Sequence, residues 1–355
     1  MAHDTERRPR RKHLGLLPLV ALLIVLALVA AACGSDDSDS SDAADTPADV
    51  TPATVKMISW STPRTEQANI FAAQDLGYFA EEKITFEYIP GQGSGDSLRQ
   101  LLAGNGDIAF AGPEGVFLAA EQGAEIMAVY NTYPQNIFVL VTKKASGIDT
   151  VAKLKGKKIG VLSLASGGRY NTNTMLATAD LKESDVTLIA TGPSPAAFLA
   201  GQVDAFMTLS TSVGPLEAQG QQLNKFPVAD VANLPTDVFV ITKAAYDDKA
   251  KRAVIERFLR AIDKGTQYMI DNVDGAVAIG VKNGLDVKDP VAAKPIIVAF
   301  GAASQSAGTK DHGLGWFDMK ELQAGADLYL ESGLITKKQD VKKYFTNSLV
   351  DAIND

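Results

Sequence analysis

The chain is poor in the residues that build metal sites and thiol chemistry. Its 355 residues include one cysteine, Cys33, and three histidines, His3, His13 and His312. An intramolecular disulfide is therefore excluded, and no cysteine-based metal site or thiol catalysis is expected in the body of the chain. With a single histidine beyond residue 13, neither a histidine-built zinc site nor a nucleophile with a histidine base is expected. We predict no metal, no cofactor and no catalytic residue.

Beyond the first 32 residues, clustered positive charge is also lacking. The formal net charge is −8, and the first 32 residues carry five basic and two acidic residues, which leaves the rest of the chain at −11. Neutralising nucleic-acid phosphates requires clustered Lys and Arg, so nucleic-acid binding is not expected. The composition is otherwise ordinary for a globular protein, with 46% apolar and 21% charged residues. The length favours two domains.

One phrase of eleven residues occurs twice. Residues 101–111 read Leu-Leu-Ala-Gly-Asn-Gly-Asp-Ile-Ala-Phe-Ala, and residues 198–208 read Phe-Leu-Ala-Gly-Gln-Val-Asp-Ala-Phe-Met-Thr, at a constant offset of 97 residues. Both copies run from an apolar helix end through Gly and Asp into a short apolar strand. The copies therefore indicate equivalent points in two similar halves of the chain.

The flanking sequence extends this duplication. Ahead of each copy the pattern predicts a strand, a polar loop, a helix, a second strand and a second loop, at 55–59, 60–65, 66–73, 84–90 and 91–95 in the first half and at 158–162, 163–169, 170–179, 186–190 and 191–195 in the second. Each half is then a βαβαβ unit, which forms a small parallel sheet with helices on its faces. Ligands of such sheets bind outside the carboxyl ends of the strands. The predicted fold is α/β, with two lobes and a cleft between them.

Four segments resemble a known protein family. They are Leu-Gly-Tyr-Phe at 76–79, Gly104 with Asp107, Leu-Lys-Gly-Lys-Lys-Ile-Gly at 154–160, and Gly-Gln-Val-Asp-Ala at 201–205. In this order they resemble the SsuA/THI5-like substrate-binding proteins of ABC importers for nitrate, sulfonates, taurine and thiamine precursors. The resemblance spans 55–355 and implies a periplasmic-binding-protein type II fold without enzymatic activity. It also implies permease subunits and a cytoplasmic ATPase as partners.

The first 32 residues are typical of a secretory signal, because a basic stretch is followed by the apolar run 14–32 and by small residues. The sequence Ala-Ala-Ala-Cys at 30–33 resembles a bacterial lipobox, which implies lipid on Cys33. An uncleaved membrane anchor is the alternative, since the apolar run approaches the roughly 20 residues that span a bilayer. The arginine pair at 10–11 also allows a twin-arginine signal. Each of these interpretations places the body outside the cytoplasmic membrane, and lipidation would anchor it there.

The remaining chain divides into a tether and two lobes. Residues 33–54 are almost wholly Ser, Asp, Ala, Thr, Pro and Gly, and they are predicted to form a solvated, disordered tether. Residues 55–140 and 242–355 are predicted to form the first lobe, and residues 141–241 the second.

Two apolar strands and one long helix complete the predicted architecture. The strands at 138–143 and 238–243 are predicted to cross between the lobes, as a hinge requires. Residues 246–269 have apolar side chains at helical spacing and predict a long amphipathic helix. The segments after it predict further helices that pack chiefly on the first lobe.

Candidate ligand-binding residues lie in the loops that follow the strands. The polar and aromatic candidates from these loops are Trp60, Ser61, Gln92, Ser94, Ser163, Ser166, Tyr170, Thr208 and Thr211. The loop 163–169 leads into a helix N-terminus, where polar or anionic groups are favoured, although Ser166 alternatively serves only as a helix cap. The glycine-rich loop 91–95 lets a ligand approach the backbone closely or is simply a flexible turn.

Glu114 is the candidate acidic group. It follows Pro113 at a predicted helix start, where the helix dipole alone would favour a carboxylate. The alternative is that Glu114 projects into the cleft and accepts hydrogen bonds from an amino, amidino or ammonium group. The equivalent segment of the second half, 208–211, carries only small hydroxyl groups in addition to leucine.

Aromatic and basic candidates divide the ligand prediction. Trp60, Tyr130 and Tyr170 lie at strand ends or loop starts and are suited to sandwich a planar ring, with core packing as the alternative. Of the candidate anion partners Arg64, Arg99 and Arg169, we retain Arg169. Glu114 with the aromatic residues favours an aminopyrimidine-like or other nitrogenous ring, whereas Arg169 with the loop 163–169 favours a sulfonate or nitrate-like anion. The sequence leans to the nitrogenous ring.

Three classes of function remain to be compared. The leading hypothesis is a lipid-anchored receptor that captures a small molecule by lobe closure and presents it to a permease. An enzyme on the same bilobal fold would require a positioned acid, base or nucleophile, which the sequence does not indicate. An extracellular sensor would need a separate partner that supplies a cytoplasmic domain.

Overall fold

The structure, a computed structural model, describes residues 50–192 and 194–354. Its strands are β1 (Ala53–Ile58), β2 (Ile84–Ile89), β3 (Ile108–Ala111), β4 (Ile126–Tyr133), β5 (Phe138–Lys143), β6 (Lys158–Val161), β7 (Thr187–Ala190), β8 (Ala205–Leu209), β9 (Leu223–Pro227) and β10 (Asp237–Thr242). The predicted signal segment 1–32, Cys33 and most of the tether at 33–54 lie outside the described residues.

Helices connect and cover these strands. They are α1 (Ala68–Asp75), α2 (Tyr78–Glu81), α3 (Ser94–Leu102), α4 (Pro113–Glu121), α5 (Gly167–Ala177), α6 (Ala196–Leu199), α7 (Val213–Ala218), α8 (Lys243–Asp247), α9 (Lys249–Asp271), α10 (Val273–Asn283), α11 (Pro290–Ala303), α12 (Ala307–His312), α13 (Met319–Glu331) and α14 (Ser348–Asn354). In the described part of the chain no helix combines the length and apolar character that a bilayer span requires.

The two sheets have the same arrangement of strands. The first has the order β2-β1-β3-β10-β4 and the second the order β7-β6-β8-β5-β9. In each sheet the first three strands are parallel, and the fourth runs antiparallel to both of its neighbours. The predicted α/β fold with two helix-flanked sheets is confirmed. The parallel strands of each βαβαβ unit are present as predicted. Each sheet also contains an antiparallel strand, β10 or β5, that the chain forms after it has passed from the other sheet.

The duplicated phrase forms the same hydrogen-bonded clasp in both sheets. In the first, the Asp107 carboxylate accepts a 2.8 Å hydrogen bond from the Lys56 N–H, and the Asp107 N–H donates 2.9 Å to the Lys56 carbonyl. In the second, Asp204 makes the equivalent pair with Lys158, at 2.9 and 2.8 Å. The glycine three residues earlier has a positive φ in both copies, 77° at Gly104 and 72° at Gly201, a conformation that glycine adopts without strain. The clasp therefore fixes the third strand of each unit beside the first.

The chain passes between the sheets twice, and the two passages are hydrogen-bonded to each other. The first passage spans residues 134–137, between β4 and β5, and the second spans 228–236, between β9 and β10. The Thr236 N–H donates 2.8 Å to the Tyr133 carbonyl, and Thr236 Oγ1 donates 2.7 Å to the Gln135 carbonyl. Strands β5 and β10 each lie wholly within one sheet, so the change of sheet occurs in the segments before them. The lobe boundaries given above stay a prediction.

Two predicted helices differ in the structure. The helix predicted at 246–269 is divided into α8 and α9, because Asp248 is extended and its carboxylate accepts hydrogen bonds from the N–H groups of Ala250 and Lys251. Helix α5, predicted to begin at residue 170, begins at Gly167. Arg169 and Tyr170 therefore lie in the first turn of this helix rather than in or directly after a loop.

The C-terminal helices pack on the first sheet and its flanking helices. Helix α10 packs against α1 and α9, α11 packs against α10 and α9, and α14 packs against β4 and α9. Phe258 on α9 and Phe300 on α11 are buried in the same apolar cluster as the strand residues Val55 and Phe239. These helices therefore lie on the sheet formed by β2, β1, β3, β10 and β4. This packing also brings Phe300 close to the point where the two sheets meet.

We predict that Asp107→Ala and Asp204→Ala each lower the free energy of unfolding by about 1 kcal/mol, because each removes an acceptor from a strand N–H. The two clasps lie in different sheets, so the double variant should lose about the sum of the single losses. Urea denaturation followed by circular dichroism measures this loss. Asp107→Asn and Asp204→Asn are the matched controls, because the amide oxygen still accepts the hydrogen bond. Unchanged stability in both alanine variants would contradict a structural role for the repeat.

Candidate ligand-binding site

A cavity lies where the carboxyl ends of the parallel strands of both sheets meet. Its free volume is about 790 Å³, part of it open to solvent. Residues from both sheets and from α11 line it: Trp60, Arg64, Glu66, Gly93, Ser94, Gly112, Glu114, Phe138, Leu162, Ser166, Gly167, Gly168, Gly192, Phe206, Met207, Thr208, Leu209, Ser212, Thr236, Asp237 and Phe300. Its position is the one that the general rule for open α/β sheets leads us to expect.

The cavity brings together five of the residues singled out from the sequence. Trp60, Ser94 and Glu114 reach it from the first sheet, and Ser166 and Thr208 reach it from the second. The pairing of a strand-end aromatic residue with a helix-start carboxylate is thus present in the geometry. The roles of these five residues as ligand contacts stay a prediction.

Several other candidates lie beside the cavity without lining it. Ser61 donates from its hydroxyl to the Thr62 carbonyl, and Gln92 is exposed. Ser163 accepts a 2.6 Å hydrogen bond from Ser166 through its carbonyl, while its own hydroxyl is buried without a partner. Thr211 lies in a short 3₁₀ turn whose next residue, Ser212, does line the cavity.

Tyr130 and Arg169 are placed away from the cavity. Tyr130 is fully buried in the core of the first sheet, and its hydroxyl donates 3.0 Å to the Asp263 carboxylate. The Arg169 guanidinium makes two 2.9 Å hydrogen bonds to Glu183 in a separate outer groove, which Tyr170 also lines. The core-packing alternative thus describes Tyr130. Arg169 is directed to the groove because α5 starts three residues earlier than predicted.

Glu114 is buried at the start of α4, directly after Pro113. Ser94 Oγ donates 3.1 Å to Glu114 Oε1 and accepts 2.9 Å from the Gly112 N–H. A Cβ at Gly112 would lie 2.3 Å from both carboxylate oxygens, so only glycine leaves room for this rotamer of Glu114. Burial raises the pKa of Glu114 to about 7, although its own backbone N–H and Ser94 act to lower it. Glu114 is therefore close to half-protonated near neutral pH.

Asp237 is a second buried carboxyl group, and the sequence reasoning missed it. It is the first residue of β10 and is 5% exposed. Burial, Glu114 and Glu66 raise the pKa of Asp237 well above its ordinary value, while the nearby Trp60 indole acts to lower it. The Trp60 Nε1–H is itself buried without a partner of good hydrogen-bond geometry. A charged residue that opens the otherwise apolar strand Asp237–Thr242 was the available signal for this site.

The only guanidinium among the lining residues is already paired. Arg64 Nε donates 2.7 Å to Glu66 Oε1, and Arg64 Nη2 lies 3.2 Å from Asp286 Oδ2. Burial acts to lower the pKa of Arg64, but the two carboxylates outweigh it and raise that pKa. Two carboxylates thus share one cation at this end of the cavity. Arg99, by contrast, is an exposed surface residue bonded to Asp96.

Apolar side chains form the remaining walls. Trp60, Phe138 and Phe300 offer aromatic surface, and Leu162, Met207 and Leu209 offer aliphatic surface. Such walls bury the faces of a planar ligand, while the polar groups between them fix its orientation. In residues 50–192 and 194–354 no three His, Cys, Asp or Glu side chains are placed to hold a metal ion. The arrangement is suited to bind an organic molecule with a polar edge.

We predict that Glu114 makes the protein less stable as the pH rises. Folded Glu114 keeps its proton up to about pH 7, whereas the unfolded group loses its proton near pH 4.5, so the folded state binds more protons between these values. The unfolding free energy should therefore fall by about 3 kcal/mol across this range through Glu114 alone. Glu114→Gln should lack this fall and exceed the wild type in stability at pH 8, as measured by urea titrations between pH 4.5 and pH 8.

Glu183→Gln is the matched control for this measurement. Burial acts to raise the pKa of Glu183, but Arg169 and Asn173 outweigh it and lower that pKa. Glu183 is therefore ionised in both folded and unfolded protein above pH 5, and its removal should leave the pH slope there unchanged. Parallel pH profiles for the wild type and Glu114→Gln would show that Glu114 is not destabilised by burial.

Comparisons with known proteins give the family. The family model described as NMT1/THI5 like matches residues 64–276. The chain is 24% identical over 297 residues to the riboflavin-binding protein RibY of Chloroflexus aurantiacus. This alignment covers 81% of this chain and 83% of that protein. It is 22% identical over 239 residues to the formylaminopyrimidine-binding protein of Halalkalibacterium halodurans. This second alignment covers 66% of this chain and 72% of that protein.

Solved structures share the fold at low sequence identity. The alkanesulfonate-binding protein SsuA from Xanthomonas axonopodis pv. citri bound to MOPS has a TM-score of 0.62 and 19% identity, covering 84% of this chain and 99% of that chain. The desulfurization enzyme DSZB has a TM-score of 0.51 and 14% identity, covering 85% and 99%. These likenesses show that binding proteins and an enzyme use the same two-sheet architecture. Since the family model matches more than half of the residues of this chain, the chain belongs to the NMT1/THI5-like family.

Proposed function

We propose that this protein is the extracytoplasmic ligand-binding component of an ABC importer and that it binds a small nitrogenous heterocycle in the cavity between the sheets. The observation that carries the proposal is the pair of buried carboxyl groups, Glu114 and Asp237, which face an aromatic-walled cavity whose described lining residues include no unpaired cation. Unpaired buried carboxyl groups are costly, and a ligand with N–H donors would offset that cost.

The curated relatives support this class of ligand. One is named for binding riboflavin and another for binding a formylaminopyrimidine, and both names denote nitrogen heterocycles. A planar ring would pack between walls such as Trp60 and Phe300, with its amino or ring N–H groups directed to Glu114 and Asp237. Closure of the two lobes predicted at 55–140 with 242–355 and at 141–241 would then enclose it.

A sulfonate or nitrate-like anion is the second candidate ligand. The SsuA structure bound to MOPS supports it at the level of fold, and the N-terminus of α5 at Gly167 and Gly168 is a place where an anion is favoured. The charges argue the other way. Arg169 is bonded to Glu183 outside the cavity, and Arg64 is shared between Glu66 and Asp286. Among the described lining residues, an anion would therefore find no side-chain cation that is not already paired.

An enzymatic function on this fold is the third candidate, since DSZB is an enzyme of the same architecture. In the described part of the chain, the cavity lining includes neither histidine nor cysteine. His312 instead stacks on Trp316 with 4.5 Å between ring centroids. The proposal is accordingly a binding protein, with the groups in the cavity used for recognition.

Membrane attachment completes the proposal. A lipid on Cys33 and the tether 33–54 would hold the binding domain at the outer face of the cytoplasmic membrane. Permease subunits with a cytoplasmic ATPase would receive the ligand there. Mass spectrometry of the purified membrane-extracted protein would detect the lipid on Cys33.

We predict a stabilising ligand in a thermal-shift screen of two panels, aminopyrimidines with thiamine precursors and flavins, and sulfonates with nitrate. A ligand at 100 times its dissociation constant adds about 2.7 kcal/mol of stability. The melting temperature should rise with a member of the first panel, and Glu114→Gln should lose most of this rise because it replaces a carboxylate acceptor in the cavity.

Arg169→Ala is the control variant that separates the two candidate ligands. Arg169 lies in the outer groove, so its removal should leave the rise with a heterocycle unchanged. A rise with a sulfonate that is insensitive to Glu114→Gln would overturn the assignment of the heterocycle while leaving a binding function. No response to either panel would contradict both candidate ligand classes.

A further inference from the structure

Two buried acids line the cavity without an ion-pair partner, and the guanidinium among its described lining residues, Arg64, is already paired with Glu66 and Asp286. Glu114 is 2% exposed and Asp237 is 5% exposed, and both line the same free volume. Glu114 accepts hydrogen bonds from Ser94 and its own backbone, whereas the donor near Asp237 is the Trp60 indole. Two carboxylates buried without a counter-charge repel each other and lose their hydration. Burial without a counter-charge therefore favours protonated carboxyl groups.

The charged side chains that neighbour the two carboxyl groups in the described part of the chain carry a net negative charge. The charged neighbours form the triad Arg64, Glu66 and Asp286, which carries one positive and two negative charges. Its member Glu66 acts directly on Asp237. The remaining titratable neighbours are tyrosines, and none supplies a positive charge: Tyr133, Tyr170 and Tyr329. A cation that enters the cavity would therefore be attracted to the carboxyl groups rather than repelled.

We propose that Glu114 and Asp237 form a carboxyl pair that binds an amidinium-type monocation in exchange for one proton, with Asp237 as a specificity-determining residue. This inference rests on the proposed function and names the chemical class of its ligand. One carboxyl O–H bond breaks and its proton passes to solvent, while the cation replaces the lost positive charge. The buried pair and its ligand then carry the same total charge as the empty, protonated pair.

The geometry of an amidinium group fits this exchange. Its two parallel N–H donors match the two oxygens of a carboxylate, and such charge-assisted pairs are the strongest hydrogen bonds that side chains form. A planar amidine or protonated 2-amino nitrogen ring also packs against the aromatic walls of Trp60, Phe138 and Phe300. A neutral molecule of the same shape provides no charge to replace the proton. The pair should therefore select the cation over its neutral isostere.

Isothermal titration calorimetry with benzamidine as the probe tests the exchange on the purified full-length protein. Benzamidine is cationic throughout the accessible pH range, so any proton released on binding comes from the protein. Titrations at pH 6 in two buffers of different ionisation enthalpy should show about one proton released for each benzamidine bound. By linkage, the dissociation constant should fall about tenfold between pH 5 and pH 6. Benzamide, the neutral isostere, should bind at least tenfold more weakly and release no proton.

Variants assign the proton to the pair. Glu114→Gln and Asp237→Asn should each weaken benzamidine binding by at least tenfold, and the double variant should release no proton. Both changes replace a buried acid by an amide of the same shape, and circular dichroism checks that the fold is retained. Glu183→Gln removes a carboxylate from the outer groove and should leave affinity and proton release unchanged.

The outcomes separate this inference from the proposed function. Benzamidine that binds without proton release, or with the same affinity from pH 5 to pH 7, would overturn the exchange. Failure of benzamidine to bind at millimolar concentration would overturn it as well, even where a heterocycle or a sulfonate raises the melting temperature. In those cases the proposed receptor function is retained. Only the absence of a response to every small molecule in the screen would contradict both the exchange and the receptor function.

Discussion

A clasp between a carboxylate and a strand backbone, made once in each sheet, underlies the rest of this structure. Asp107 and Asp204 each accept from an N–H of the first strand of their unit and donate to the carbonyl of the same residue. Two opposed hydrogen bonds to one residue fix the register of β3 on β1 and of β8 on β6. The carboxyl ends of the three parallel strands consequently lie at one edge of each sheet, and the loops that follow them lie together.

That arrangement also brings helix N-termini to the cavity. At Glu114 the helix dipole and burial have opposite effects on the carboxyl group. The start of α4 favours an ionised carboxylate, an interaction worth about 0.3–2 kcal/mol. Burial favours the protonated form, and a pKa raised to about 7 corresponds to about 3 kcal/mol in that direction. Burial therefore outweighs the helix dipole. Gly167 of α5 approaches from the other sheet, where a Cβ would lie 3.1 Å from Glu114 Oε1, so the carboxyl group is enclosed by both halves of the fold.

Features written locally in the sequence could be predicted, and those created by distant contacts could not. The duplicated phrase gave the two similar units, and strand β5 has the predicted bounds because its apolar pattern is continuous. Glu114 was found because it follows Pro113 at a recognisable helix start. Arg169 was assigned to the cleft because the start of α5 was placed three residues too late, and at a helix start such a shift turns a side chain to another face.

Asp237 and Tyr130 show why distant contacts limit prediction from sequence: Asp237 lines the cavity but was missed, and Tyr130 was predicted to line it but lies in the core. The charge at the start of an apolar strand marks Asp237 in the sequence, but it does not show that the chain returns there from the second sheet to lie near Glu114, which is more than a hundred residues earlier. Tyr130 was predicted to lie at a strand end, but helix α9 and Gly315 cover it. Its hydroxyl donates a hydrogen bond to the Asp263 carboxylate. Periodicity shows which residues are apolar or lie at strand ends. It does not show which of them the later helices will cover.

The hydrogen bonds around the passages explain how the cavity and the connection between sheets are joined. Asn136, in the first passage, donates 3.0 Å to Asn171 on α5, and Asn171 donates 3.0 Å to the Gly167 carbonyl at the cavity wall. The same Asn136 accepts through its side chain from the Phe138 N–H, and its own N–H donates to Asn233 in the second passage. Asn136 and Asn171 are buried, so leaving the side chain of either unpaired would cost about 1–3 kcal/mol. A displacement of α5 must therefore carry Asn136 with it or break buried hydrogen bonds, and this links the wall that faces Glu114 to both passages between the sheets.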